Sequence, residues 1–202
     1  MKPWAIILLT LLVSACGTTG GNIMPDGQTA VPGGKAVVAF SVQVTDGTDY
    51  DNCSVFVGNS AATAQWFAWP VNGDDVAMIA LEVEPGNYGF HRFGCMYRAL
   101  QLSTSVSGPQ FTIAAGDIRY LGRLTLSDTQ MGSAAGYSSM PNSVKLTFED
   151  QRVEDFDALG RKWPLFTTNV PEEAIPASWG GEPRYQLRPY KDGVKLVASP
   201  RL

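Results

Sequence analysis

KAVVAFSVQVT, Lys35 to Thr45, places Val38, Phe40, Val42 and Val44 on one face at a period of two. That alternation, rich in β-branched residues, reads as a strand with a buried face. Similar runs follow: CSVFVG (53–58), VAMIALEV (76–83), GNYGFHRFGC (86–95), QFTIA (110–114) and IRYLGRLTLS (118–127). Val144, Leu146 and Phe148 alternate in a further one, and YRALQL (97–102) extends the fourth or forms an edge piece. Turn chemistry separates them: DGTDYDN, Glu84-Pro85-Gly86 and Ala115-Gly116-Asp117. Ser127 to Pro141, rich in Ser, Gly and Ala, reads as a loop. Short strands with regular turns predict a mainly β chain, an antiparallel β-sandwich or barrel.

The period then changes. Val153, Phe156, Leu159, Lys162 and Trp163 fall three and four apart, which predicts a short amphipathic helix ended by Gly160 and Pro164. Glu149, Asp150, Glu154 and Asp155 sit near its start, where carboxylates complement the helix dipole and face solvent. A hard metal ion is the second reading of that cluster. Residues 167–202 read as an extended tail, with Asp192-Gly193 as a hairpin signal and Pro189 suited only to an edge strand.

The N-terminus has a different grammar. Lys2 precedes an apolar run from Trp4 to Val13, interrupted only by Thr10. The run is too short for a membrane span, which needs roughly 20 apolar residues, and fits a secretion signal over 1–15. Val13-Ser14-Ala15-Cys16 resembles the lipobox of bacterial lipoproteins: an aliphatic residue, two small ones, then the cysteine. The resemblance implies acylation of Cys16, so that a palmitate-type lipid anchors the chain in the membrane of a bacterial cell envelope. Gly17, where inner-membrane retention would place aspartate, implies the outer membrane, facing the periplasm or the surface. GTTGGNIMPDGQTAVPGG (17–34) then reads as a flexible tether of roughly 20–25 Å.

Three cysteines leave one over in an exported chain. With Cys16 lipidated, Cys53 and Cys95 remain as a disulfide in an oxidising compartment, or as two buried thiols. A single histidine, His91, and the lack of any Cys-x-x-Cys argue against zinc. His91 reads as a strand residue with a hydrogen-bond partner. Fifteen Lys+Arg against nineteen Asp+Glu give a net charge of −4, which argues against nucleic acid. It also offers no electrostatic pull toward an anionic bilayer, so lipid must hold the chain there. No nucleophile elbow, phosphate loop or metalloprotease motif occurs, no cofactor is implied, and GYSSM (136–140) breaks the elbow pattern at its last position.

LEVEPGNYGF (81–90) with FTIAAGDIRYLGRLTL (111–126) is similar to small bacterial lipoproteins that carry a transthyretin-like, or prealbumin-like, sandwich. In those, a Pro-Gly-x-Tyr corner and an Ala-Gly-x-x-Tyr-Leu-Gly corner each open a strand. VEDFDALGRKWP (153–164) resembles their terminal helix. The resemblance spans 35–164 and implies an Ig-like or transthyretin-like fold without a transferable activity. The expected layout is therefore signal peptide 1–15, lipidated tether 16–34, sandwich domain with short helix 35–166, and tail 167–202. The expected role is a non-catalytic structural or protein-interaction module with an envelope protein as partner. A small-ligand or glycan-binding sandwich is the alternative, and a hydrolase a weaker one. QWFAWP (65–70) separates the first two: Trp66 and Trp69 either plug the core or form an exposed recognition platform.

Overall fold

The computed structural model describes residues 22–58, 65–70, 75–98, 100–106, 108, 110–134, 137–169 and 184–189, with 65–70 as backbone. Among these, the strands are β1 (Asn22–Ile23), β2 (Ala36–Val44), β3 (Asn52–Gly58), β4 (Gln65–Pro70), β5 (Ala77–Val83), β6 (Gly86–Tyr97), β7 (Leu100–Ser105), β8 (Gln110–Ile113), β9 (Ile118–Ala134), β10 (Tyr137–Glu149), β11 (Arg184–Gln186) and β12 (Arg188–Pro189). Two helices, α1 (Arg152–Lys162) and α2 (Leu165–Thr168), follow β10. The chain is mainly β, and the strands form two sheets packed as a sandwich.

The first sheet runs β1-β5-β2-β9-β10-β11 and the second β12-β7-β6-β3-β4, with β8 pairing the start of β6. Pairing is antiparallel except between β2 and β9, which run parallel, so the expected all-antiparallel arrangement becomes mixed. Parallel neighbours need a long crossover, and here it runs through β3 to β8, which take in most of the second sheet and β5 of the first. The chain returns between the sheets at Leu187, which is buried between β11 on one sheet and β12 on the other. Pro189 ends on an edge strand, where its missing N–H costs no ladder bond.

The inter-sheet core contains Val38, Phe40, Val42 and Val44 from β2, as the alternation predicts. Phe90 packs edge-on against Phe40 and Phe148, at ring distances of 5.5 and 4.8 Å. Cys53 and Cys95 face each other across β3 and β6 and are disulfide-bonded, 42 positions apart in sequence. Closing that loop is worth about 4 kcal/mol on the chain-entropy account. Tyr50 is buried at the far end of this core, its hydroxyl 3.1 Å from Thr129 Oγ1. Burial, with the nearby Asp46 charge, pushes its phenol up to about 12 against the opposing Thr129 hydrogen bond.

The other face of β2 is buried too. Val37 and Ala39 join Met24, Ala80, Tyr120, Leu159, Trp163, Leu165 and Phe166 in a second apolar layer outside the first sheet. That layer corrects two expectations. The tether reading of 16–34 fails from Asn22 onward: β1 pairs β5, and Met24 is only 1% exposed. The segment that follows is strapped to the helices: Gly27 N donates to Lys162 O, Leu165 N to Gln28 O, and Trp163 Nε1 to Met24 O. Met24 supplies the apolar side chain that the glycine and proline composition obscured. The helical stripe is also shifted: Val153 is 85% exposed, and Asp155 takes a buried place beside Leu159.

Ser127–Pro141 is not a loop. β9 runs through to Ala134 and β10 starts at Tyr137, paired across Met131↔Pro141 and Gln130↔Ser143. Ladder bonds override a composition poor in strand formers. The hairpin expected at Asp192-Gly193 lies outside the described residues, as do residues 1–21, including Cys16.

Candidate functional site

Among the described residues, two clusters of polar side chains stand out, one sealed and one open. The sealed one is built on a backbone irregularity in β9. Its register against β2 jumps from Ala39↔Tyr120 to Ser41↔Arg123. Gly122, at φ 91°, absorbs the extra residue in a conformation that other residues adopt only with strain. Strand alternation would send Tyr120 and Arg123 to opposite faces; the bulge returns both to the outer face beside Ser41. Asp155, on the inward side of α1, meets all three. Arg123 Nη2 donates to its Oδ1, Ser41 Oγ to its Oδ2, and the Tyr120 hydroxyl to Oδ2 at 2.5 Å. Arg123 Nε also approaches Ser41 Oγ at 3.3 Å.

Ser41, Tyr120 and Asp155 are fully buried, so no substrate reaches the one serine that sits beside a carboxylate here. Burial, then the hydrogen bond and charge of Asp155, raise the Tyr120 phenol well above its ordinary value and keep it a donor. The cluster is chemically a clamp, holding α1 on the sheet. It also corrects the reading of Asp155 as a solvated dipole partner. Its neighbour Asp150 does remain at the surface, bonded to Arg152 N, Nε and Nη2. Among the described residues no group of His, Cys, Asp and Glu is arranged to hold a metal ion.

The open place lies on the outer face of the second sheet. β6 carries its own bulge: the register against β3 passes from Phe56↔Arg92 to Val57↔Phe90, leaving His91 as the extra residue. Phe90 and Phe93 therefore both point into the core, and His91 and Arg92 are both half-buried on the outside. His91 Nε2 lies 3.0 Å from Gly58 O, giving the sole histidine the partner expected for it. The bulge coincides with a change of neighbour. β6 pairs β8 before it and β7 after it, and the intervening turn bonds Gly108 N to Phe90 O and Val106 N to His91 O. A Cβ on Gly108 would stand 2.4 Å from Phe90 Cβ, so the close approach requires glycine.

Beside His91, Gly89, which pairs with Gly58 across β6 and β3, leaves a stretch of floor without a side chain. Asn87, Gln110 and Thr112 rim an open groove of about 360 Å³ there, with Thr112 Oγ1 donating to Asn87 Oδ1 at 2.6 Å. Tyr88 and Phe111 stack beneath, ring centroids 5.9 Å apart. On the same outer face the Arg92 guanidinium lies 5.7 Å from the Phe56 ring centroid. Trp66 and Trp69 lie on β4, opposite Phe56 and Cys53 respectively, and their side chains are outside the described residues. This face was not foreseen; the signal in the sequence was Gly89 and Gly94 flanking FHRF (90–93) in a strand otherwise rich in aromatics.

Comparison with protein families, with curated proteins and with solved structures finds no match to this chain.

Proposed function

We propose that this chain is a lipid-anchored protein of the bacterial envelope, at the outer membrane. In this reading its Ig-like or transthyretin-like sandwich serves as a non-catalytic structural or protein-interaction module. The observation that carries the reading is the buried Cys53–Cys95 disulfide at the centre of the second sheet, a bond at home in an oxidising compartment. It accounts for two of the three cysteines and leaves Cys16, behind its short apolar run, for acylation. The sealing of Ser41 and Asp155 away from solvent favours an interaction module over a hydrolase.

Labelling cells with a clickable fatty acid tests the anchor. Label in the wild-type chain and its loss in Cys16→Ser support the reading; equal label in both overturns it. Crosslinking in intact cells, followed by affinity capture, then seeks the envelope partner. A second reading has its own observation: the neutral rim of Asn87, Gln110 and Thr112 beside Gly89 suits the hydroxyls of a glycan. Saturable binding of neutral oligosaccharides, lost in Asn87→Ala with Gln110→Ala, would favour that reading.

A further inference from the structure

The folded body begins far closer to Cys16 than composition suggests. Asn22 already pairs with Glu82, and Ile23 with Leu81. Only Gly17 to Gly21 separate the cysteine from the first sheet. At 3.3–3.6 Å per residue, the six steps from Cys16 to Asn22 span about 20 Å at most.

Strand direction gives the reach an orientation. β1 is antiparallel to β5, so stepping back from Ile23 to Asn22 moves from Leu81 toward Val83. The chain therefore leaves the sandwich at the end that carries the Pro32–Lys35, Glu84–Gly86 and Ala114–Asp117 turns. These turns are tied together. Lys35 pairs with Glu84, Gly116 N donates to Lys35 O at 2.7 Å, and Asp117 N to Ala114 O at 3.1 Å. The opposite end, with the Thr45–Asp49 loop, lies beyond the nine residues of β2, about 30 Å away.

We infer that the end of the sandwich bearing these turns is held against the bilayer surface, and that the Thr45–Asp49 end points away from it. The inference rests on acylation of Cys16. The occupant is the lipid headgroup layer, and the force is the short anchor itself. The apposed turns carry both Lys35 and the acidic Glu84 and Asp117, with no basic cluster, so the placement is insensitive to salt.

The test uses the full acylated chain in phosphatidylethanolamine–phosphatidylglycerol vesicles containing nitroxide-headgroup lipid. A fluorophore is attached at Ala115→Cys or at Asp49→Cys, both exposed positions. Mass spectrometry of the N-terminal peptide comes first; a Cys16 without lipid overturns the anchor and this placement together. With lipid present, quenching at least twofold stronger at position 115 than at 49 is expected, at low and high salt alike. Equal quenching, or stronger quenching at 49, overturns the placement and leaves the anchor standing. Inserting about twenty Gly/Ser residues between Gly20 and Gly21 stretches the mean reach to roughly 25–30 Å. The contrast should then collapse. A contrast that survives the insertion means that the domain binds lipid by its own surface, and overturns the short anchor as the cause.

Discussion

The outer face of the first sheet carries Val37, Ala39, Ala80 and Tyr120, all fully buried under α1, α2 and the segment after β1. The outer face of the second carries Asn87, His91, Arg92, Gln110 and Thr112, all exposed or half-buried. Both faces are broken by a bulge, and the two bulges do opposite things. The one at Gly122 gathers Tyr120 and Arg123 beneath a helix and closes that side. The one at His91 turns two polar side chains outward and opens the other. A bulge re-aims side chains; what covers the sheet decides whether the result is a clamp or a surface. In the proposed reading, the working side of the module is the second sheet, with the first serving as its support.

The sharpest way to break this contrast is to open the covered face. Asp155→Ala removes the carboxylate that pairs Arg123 and accepts from Ser41 and Tyr120, leaving a largely buried guanidinium without its counter-ion. Breaking one side of a buried pair costs about 3–5 kcal/mol, which urea unfolding would read. The double variant Arg123→Met with Asp155→Leu removes both charges and should recover at least half of the loss. If Asp155→Ala alone costs under about 1 kcal/mol, the cluster is not a clamp. Gly122→Ala attacks the same face through the backbone. Its left-handed φ predicts a loss of about 1–3 kcal/mol, and a smaller one would detach the bulge from the clamp.

Alkaline pH sharpens the comparison without a large mutation. Tyr50, in the inter-sheet layer, and Tyr120, under the helix, are both held above the ordinary phenol value, chiefly by burial. A phenol raised in the folded state favours folding as long as it stays protonated. That contribution is complete below about pH 10, where unfolded phenols keep their protons, and is lost as pH climbs toward the folded value. For Tyr50 the window runs from about pH 10 to about 12. The urea midpoint should fall across it, and Tyr50→Phe should flatten the fall. An unchanged slope would place alkaline weakness in the helix-covered layer instead.

Much of the fold was legible because one physical rule governed it. Val38, Phe40, Val42 and Val44 alternate because one face of β2 is core, and a helix does follow β10, although its buried stripe is shifted. The failures share a cause. Alternation assumes that the second face is wet, so Val37 and Ala39 gave no sign of the layer above them. Parity assumes an unbroken strand, so neither bulge could be placed, and with them went the meeting of Tyr120 with Arg123 and the outward turn of both His91 and Arg92. Composition assumes that glycine and proline mean freedom, so the 22–34 segment passed for a tether although Met24 is one of the most buried residues. Asp155 was hidden for a different reason: three acidic neighbours made it look like one more solvated charge.

The smallest effect is expected on the open face, and it is the one that most directly tests whether that face is free. Asn87 and Thr112 sit directly opposite each other on β6 and β8, share one hydrogen bond and are exposed to water. Water replaces such a bond when it is removed, so the net cost is small. Thr112→Val keeps the β-branched shape and loses only the hydroxyl. It should change stability by no more than about 0.5 kcal/mol, as surface substitutions do. Asn87→Ala should behave alike. The same pair has a second role in the glycan reading, where both side chains supply hydrogen bonds to a ligand. There the two variants should leave the urea midpoint in place and weaken oligosaccharide binding. The result that breaks the comparison is a stability loss above about 1.5 kcal/mol in either variant, because a penalty of that size belongs to a polar group left without a partner away from water. The groove would then be part of the protein's interior, covered by chain that packs over it, and the second sheet would present no more of a working surface than the first.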